Sequence, residues 1–267
     1  MELPCQTKHS SEEDRAVEAD AGPQLVINPE ELELAQTTFN EVGAYAAVAT
    51  MAAAFARSRA VPLRVLDTCS ATGLASFHAC AGLDVESLTL VDIDPTPLEL
   101  AGRRHGGRHP EVVIKCGDAV EHRPERQYDM ILMNSAYHHI EDERKSRFLQ
   151  RNREFLLEGG RIIVGDHFLP PYGKGDEELR RALQSFYFPL LKELRGRRTP
   201  TEATAVVEKS FQLALRREIE FKVSYERFNE HLKQAGLVVE EVTRVWGPAT
   251  HSWGTLALRL APSSEWL

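Results

Sequence analysis

Cysteine is scarce in this 267-residue sequence, and its few copies lie far apart. The four are Cys5, Cys69, Cys80 and Cys116. Structural zinc sites and the disulfide frameworks of small secreted domains use cysteines at close, paired spacings. We therefore expect neither of these, no metal ligands, and a reduced, cytoplasmic protein.

Long apolar runs and a surplus of basic residues are also missing. No run approaches the roughly 20 apolar residues that span a bilayer, and the N-terminus lacks the basic-then-apolar pattern of a secretory signal. The formal net charge is −8, whereas proteins that bind nucleic acid usually present a basic surface to the phosphates. We therefore expect neither a membrane nor a nucleic acid as a partner.

The Gly-x-Gly-x-x-Gly turn of dinucleotide-binding proteins is absent too. The chain has instead an apolar stretch from Leu63 to Leu66, a turn of small residues from Thr68 to Gly73, and a helical pattern from Leu74. This order predicts a strand, a tight turn and a helix, and the free N–H groups at such a helix start can face a ligand. The stretch alone leaves open whether the turn binds a ligand or is an ordinary turn.

Two acids follow later apolar segments. Asp92 ends one segment, 19 positions after Gly73, and Asp118 follows the next. An acid at the end of the second strand of a nucleoside-binding fold can accept both ribose hydroxyls, and Ile93 beside it would pack on an adenine. The alternatives are a surface acid at Asp92 and a simple turn residue at Asp118, but the distance from the turn favours the ribose role for Asp92.

Six segments follow one another at characteristic spacings: Val65-Leu66-Asp67, Val91-Asp92-Ile93-Asp94-Pro95, Gly117-Asp118-Ala119, Tyr128-Asp129-Met130-Ile131-Leu132, His138-His139-Ile140 and Leu157-Glu158-Gly159-Gly160-Arg161-Ile162-Ile163-Val164. In order and spacing they resemble the class I S-adenosylmethionine (SAM) dependent methyltransferases, most closely the small-molecule branch. The resemblance covers about residues 63–168 and the C-terminal strands. The family's first motif is Gly-x-Gly-x-Gly, and aligned on Asp67 and Gly73 its first two glycines become Cys69 and Ala71.

The resemblance implies an α/β fold with a Rossmann-like, seven-stranded, mostly parallel sheet whose last strand is antiparallel, with helices on both faces and a helical lid. We expect a disordered acidic tail over residues 1–22 and a single domain over 23–267. Within that domain we expect an N-terminal helical cover (23–60), a cofactor-binding core (61–168), a helical insertion or lid (169–223), and a C-terminal helix and strand pair (224–267). In the cover, the pattern predicts one helix from Pro29 to about Ala46 and a second from there to Arg59.

The resemblance also implies SAM as cofactor and S-adenosylhomocysteine as product. The residues that would hold the cofactor are Asp67, Thr68, Cys69, Ala71, Gly73, Asp92, Ile93, Asp118, Ala119, Asn134 and Ser135.

A general base is useful if the acceptor atom carries a proton, and histidine has a suitable pKa. The candidates are His138 and His139 after the fourth strand, His167 after the fifth, the more remote His251, and Tyr45 reaching in from the cover. A histidine at the position of His139 often anchors the next helix through a backbone hydrogen bond instead. An acceptor that loses its proton easily would need no base.

The sequence thus predicts a SAM-dependent methyltransferase (EC 2.1.1 class) that methylates oxygen, nitrogen or activated carbon of a small molecule, in natural-product biosynthesis. Two alternatives stay open. One is a protein or nucleic-acid methyltransferase. The other is a non-methylating SAM-binding relative, because Cys69 and Ala71 depart from the glycine motif. The acceptor is not specified, and a homodimer is compatible with the sequence.

Overall fold

The computed structural model describes residues 28–250 and 252–264. The predicted acidic tail and the remote candidate His251 lie outside these residues. The seven strands are β1 Leu63–Thr68, β2 Val85–Asp92, β3 Glu111–Cys116, β4 Tyr128–Asn134, β5 Leu156–Phe168, β6 Leu237–Trp246 and β7 Gly254–Pro262. The eight α-helices are α1 Pro29–Ala35, α2 Phe39–Ala56, α3 Leu74–Ala79, α4 Pro95–His105, α5 Asp142–Glu154, α6 Asp176–Gly196, α7 Thr201–Arg216 and α8 Tyr225–Ala235, and a 3₁₀ turn covers Tyr137–His139.

The strands form one sheet in the order β3-β2-β1-β4-β5-β7-β6. The pairs among β1 to β5 are parallel, and β7 runs antiparallel to both of its neighbours. The predicted mostly parallel sheet with an antiparallel last strand is therefore confirmed. Since β1 to β5 are parallel, their carboxyl ends share one edge, where open α/β sheets bind ligands.

Helices cover both faces of the sheet. On one face, α5 and α8 bury Phe148 and Phe228 in a core that also contains Ile131 from β4. On the other, α2 and α4 contribute Met51 and Leu98. All seven residues of β4 are buried, as expected for a central strand covered on both sides. A third cluster joins α6 and α7, within the predicted insertion.

The first helix of the N-terminal cover begins where the sequence predicts, but the break between the two helices lies at a different place. Asn28 caps α1 by accepting a hydrogen bond from the Glu30 amide at 3.0 Å, with Pro29 in the first turn. The predicted helix boundary near Ala46 is wrong, because α2 continues through it. The break falls at Thr37 and Thr38, whose hydroxyls donate to carbonyls of the last turn of α1 at 2.7 and 2.8 Å. Side chains that bond to the nearby backbone in this way compete with helix continuation.

None of the helices described is long and apolar enough to cross a membrane.

Candidate active site at the carboxyl edge of the sheet

The turn after β1 keeps the backbone of a glycine-rich loop although two of its expected glycines are missing. Cys69, Ala71 and Gly73 have φ angles of 56°, 47° and 70°, so every second residue is left-handed. This region suits glycine and costs other residues roughly 1–2 kcal/mol each. Cys69 and Ala71 thus occupy strained conformations that the fold maintains. At Gly73 a side chain would also meet the Cβ of Ala101 at 2.9 Å.

Asp67 lies beneath this turn at the end of β1. It is 1% exposed, and burial raises the pKa of its carboxyl to about 7, against the lowering effect of hydrogen bonds from Ser76 and with a further increase from Asp92. Its Oδ2 is buried and has no hydrogen-bond partner in the part of the chain that the structure describes. This oxygen therefore remains available to a ligand or a water molecule at the edge of the sheet.

Asp92 ties the end of β2 to the turn. The amide of Ala71 donates to its Oδ2 at 2.7 Å and the amide of Asp94 donates to its Oδ1 at 3.0 Å. Burial raises the pKa of this carboxyl, although the two backbone hydrogen bonds oppose the rise. Ile93 next to it is 62% exposed and lies free for an apolar contact.

Asp118, after β3, is engaged by the protein itself. Its Oδ1 accepts from the Val120 amide at 2.8 Å and its Oδ2 pairs with Arg144 of α5 at 2.5 Å. Asp118 is therefore a turn residue, one of the two roles that the sequence allows for it. It also forms an ion pair with Arg144 that was not predicted. The neighbouring Ala119 is buried, and its side chain belongs to the core.

The end of β4 contacts the N-terminal cover. Ser135 has a φ of 49° and donates its hydroxyl to Oε2 of Glu41 on α2 at 3.0 Å. A side chain on Gly165 would collide with Oδ1 of Asn134, so this glycine makes room for the asparagine. The sequence analysis missed Glu41, because a single acid in an alanine-rich helix carries no signal of its target.

Tyr45 does not join the candidate bases. Its ring stacks on His78 of α3 at a centroid distance of 5.6 Å. Burial first, and then the charges of Glu41 and Asp67, raise the pKa of this phenol well above its usual value. At neutral pH it therefore stays protonated and is unsuited to accept a proton. The structure accounts for Tyr45 as part of the cover, and we do not retain it as a base.

His138 has the geometry of an oriented imidazole. Its Nδ1 lies 2.6 Å from Oδ1 of Asp166, a fully buried carboxylate at the end of β5 that also accepts from the amides of Tyr137 and His167. Because a carboxylate only accepts, Nδ1 carries the hydrogen and Nε2 is unprotonated in the neutral ring. Burial and then the nearby ammonium of Lys222 hold the pKa of His138 well below its usual value.

His167 and His139 are both committed elsewhere. Nε2 of His167 pairs with Oε1 of Glu41 at 2.6 Å and its Nδ1 lies 3.0 Å from the Thr255 hydroxyl. Burial alone would lower the pKa of His167, but the Glu41 carboxylate outweighs it and raises the pKa. His139 donates from Nδ1 to the carbonyl of Ile219 at 2.6 Å. A backbone anchor was expected for His139, but toward the following helix rather than toward this more distant segment.

A buried ion pair faces His138 from the segment between α7 and α8. The ammonium of Lys222 contacts Glu220, whose Oε2 lies 3.7 Å from Nε2 of His138 and which also accepts from the hydroxyl of Ser210. Burial opposes ionisation of both groups, yet their attraction lowers the pKa of Glu220 to about 2 and raises that of Lys222. The sequence analysis missed this pair. Charged and apolar residues alternate from Glu220 to Val223, but this pattern is common in exposed edge segments and does not indicate a buried ion pair.

Comparison with known proteins places this edge in a family context. A family model described as a methyltransferase domain matches residues 65–160. Among curated proteins, an uncharacterized methyltransferase of Bacillus velezensis is 27% identical over 95 residues, which cover 35% of this chain and 45% of that protein. The matched part therefore spans less than half of the relative.

Solved structures share the fold. The mitomycin 7-O-methyltransferase MmcR superposes with a TM-score of 0.55 at 16% identity, covering 87% of this chain and 60% of that one. The pyocyanin biosynthetic protein PhzM gives 0.51 at 14% identity, with 79% and 54% covered. A SAM-dependent methyltransferase of Clostridium acetobutylicum gives 0.50 at 11% identity, with 75% and 84% covered. At these identities the likeness concerns the fold.

Proposed function

We propose that this chain is a class I SAM-dependent methyltransferase, which binds SAM at the β1 turn and transfers its methyl group to a small-molecule acceptor. The observation that carries the proposal is the turn itself, whose alternating left-handed residues leave backbone groups beside the two carboxylates of Asp67 and Asp92. A fold does not need this strain for its own stability, so a strained turn indicates a functional constraint.

The residues of the edge fit the cofactor. Each Asp92 oxygen already accepts one backbone hydrogen bond and has a further lone pair for a ribose hydroxyl. Ile93 offers an exposed apolar side chain to the adenine, and Oδ2 of Asp67 offers a buried acceptor toward the methionine part. Asp118 would have to share its carboxylate between Arg144 and the adenine amino group. When bound, SAM supplies an electrophilic methyl group on a positively charged sulfur.

His138 is the general base in this proposal. Its Nε2 is the unprotonated nitrogen, since Asp166 holds the hydrogen on Nδ1. The lowered pKa keeps the ring neutral at physiological pH and able to accept the proton of an acceptor hydroxyl or amine. After the transfer, the carboxylates of Asp166 and Glu220 flank the imidazolium. His167 lacks a free nitrogen for this role.

The cover must open for ligands to enter. α1 has no buried residue and is held by polar contacts at its surface: Glu33 with Arg104 at 2.5 Å, Gln36 with Thr72 at 3.3 Å, and Glu31 with Lys209 at 2.8 Å. Exposed ion pairs contribute little stability and water can replace them. We therefore assign α1 to the part of the cover that moves aside for the cofactor, while α2 stays packed in the core, and we assign α6 with α7 to a lid over the acceptor.

A small acceptor fits the enclosure better than a macromolecule. The ring of Phe186 on α6 stands edge-on to His167 at a centroid distance of 5.8 Å, and Tyr187 beside it is fully buried. The His167 ring lies 5.4 Å from that of His138, the proposed base, and helices packed this closely beside a base favour a compact, largely apolar ligand. The names of MmcR and PhzM refer to mitomycin methylation and pyocyanin biosynthesis, and we extend the same broad class, natural products, to the acceptor here.

Calorimetry with SAM and S-adenosylhomocysteine tests the proposal without knowledge of the acceptor. We expect binding to the native protein and at least a tenfold weaker affinity for Asp92→Asn, because two charge-assisted hydrogen bonds to the ribose are worth about 1.4 kcal/mol or more. Asp84→Asn, an exposed acid outside the edge, is the matched control and should bind like the native protein. An absence of binding by the native protein would overturn the proposal. A screen of phenolic and amine acceptors with methyl-labelled SAM then identifies the chemistry.

A further inference from the structure

Two histidines and a buried glutamate meet beside the proposed base. One ring nitrogen of His138, one of His139 and a carboxylate oxygen of Glu220 all lie within 4.8 Å of one another. Zinc bonds to nitrogen and oxygen are about 2.0–2.2 Å long and place tetrahedral ligand atoms about 3.5 Å apart, so the three side chains would draw together by up to roughly 1 Å around an ion. We call these three residues the His-His-Glu group.

Backbone contacts hold the two halves of this group together. The amide of Phe221 donates to the carbonyl of His138 at 2.7 Å, and His139 donates to the carbonyl of Ile219 at 2.6 Å. The histidines come from the turn after β4 and Glu220 from the segment before α8, so the group joins elements that are 80 residues apart in the chain. Ligand positions fixed by the backbone lower the cost of ordering them around an ion.

The remaining ring nitrogens have the partners that metal-binding histidines use. Nδ1 of His138 donates to the carboxylate of Asp166, and Nδ1 of His139 donates to a backbone carbonyl. Metal-ligating histidines nearly always donate their other N–H to a carboxylate or a carbonyl, which fixes the tautomer. In both rings Nε2 is therefore left with its lone pair.

Lys222 opposes a cation at this place and limits its kind. Its ammonium contacts Glu220, so an incoming ion would share the carboxylate with it. Ions that depend on carboxylates, such as Mg²⁺ and Ca²⁺, then lose most of their favoured ligands. Two imidazoles suit Zn²⁺ far better, and one carboxylate oxygen completes a set of three protein ligands.

We propose that His138, His139 and Glu220 bind Zn²⁺ and that bound zinc inhibits methyl transfer. Zinc binding stands on the geometry of the group alone. The inhibition rests on the proposed function, because Nε2 of His138 would serve both as zinc ligand and as general base.

Zinc titration by calorimetry tests the binding. We expect His139→Ala and Glu220→Gln to weaken the affinity for Zn²⁺ at least tenfold, and Lys222→Met to tighten it, since it removes the competing charge. His109→Ala, which removes a histidine outside the group, should match the native protein, and Mg²⁺ should not bind. Equal zinc affinity in the native protein, His139→Ala and Glu220→Gln would overturn the proposal.

Two further measurements keep the test decisive if a variant folds poorly. One needs only the native protein, which should bind Co²⁺ and show the visible absorption bands of an imidazole-containing site. Excess Zn²⁺ should abolish these bands, and their absence would count against the site. Zinc should raise the thermal midpoint of the native protein but not of Glu220→Gln. Zinc binding by a protein that, freed of zinc, neither binds SAM nor transfers a methyl group would refute the proposed function and leave the site standing. Methyl transfer by a protein that does not bind zinc would support the proposed function and refute the zinc site.

Discussion

Asp67 should make the protein less stable as the pH rises through the neutral range. Its carboxyl is buried, and the pKa of about 7 in the folded protein lies above the ordinary value of 3.8. The folded state therefore holds this proton more tightly than the unfolded chain does. The resulting stabilisation is complete below about pH 4 and is lost progressively as the pH rises to about 7 and beyond.

The size of the effect follows from the two pKa values. A difference of about 3 between the folded and unfolded states corresponds to about 4 kcal/mol of unfolding free energy across this window. This is a large part of the 5–15 kcal/mol that stabilises a typical domain. Asp67→Asn removes the titration while it keeps the size and one hydrogen-bonding oxygen of the side chain. The variant should therefore gain stability relative to the native protein as the pH rises.

Urea unfolding of both proteins between about pH 5 and about pH 8 measures this difference. We expect the free energy of unfolding of the native protein, minus that of Asp67→Asn, to fall by a few kcal/mol over the range. Asp84→Asn provides the control, because its acid is exposed. Parallel pH curves for the native protein and Asp67→Asn would show that Asp67 is ionised throughout, and the argument from burial would fail.

Three further substitutions test the turn, the base and the cover. Ala71→Gly should raise the free energy of unfolding by about 0.5 kcal/mol, measured as a higher urea midpoint, because relief of a left-handed alanine outweighs the entropy that glycine adds to the unfolded chain. Gly73→Ala should lower the free energy of unfolding, because it places a side chain in the left-handed region and against Ala101. His138→Gln should lower kcat by about 10²–10⁴ in a methyl-transfer assay and leave the SAM affinity in calorimetry unchanged, since it removes the base and not the cofactor site. Glu41→Gln should cost about 3 kcal/mol of unfolding free energy near pH 6, since it removes the carboxylate that holds the proton on the buried His167, and the loss should shrink in urea titrations above the raised pKa of His167. An unchanged stability of Glu41→Gln at both pH values would contradict the ion pair.

The sequence predicted the sheet, and it predicted which strand ends share one edge, because these signals are local. An apolar strand, a small-residue turn and a helix start lie within residues 63–75, and each later acid directly follows its own strand. Parallel connections then place these strand ends at one edge whatever the rest of the chain does. Cys69 and Ala71 align with the first two glycines of the motif that the sequence resembles, and both have the left-handed backbone that glycine favours. The tail boundaries, the cytoplasmic location and a homodimer stay predictions.

The side chains that surround the base could not be predicted in the same way. Glu41 reaches Ser135 across 94 residues of sequence, and Glu220 approaches His138 from a segment without a strong periodic pattern. Their positions depend on how α2 and the segment before α8 pack on the finished sheet. The stacking of Tyr45 on His78 could not be predicted either, since His78 belongs to another helix.

The buried charges around His138 bear on how a weak base could act there. Asp166 and Glu220 contact His138, Lys222 contacts Glu220, and Glu41 pairs with the neighbouring His167. When His167 carries its proton, these three carboxylates and two cations have one net negative charge, so a proton on His138 brings the cluster to neutrality. In the resting protein, burial and then the ammonium of Lys222 keep that proton away. A proton released by an acceptor at the moment of transfer enters a cluster that lacks one positive charge, and a zinc ion sharing Glu220 would exploit the same deficit.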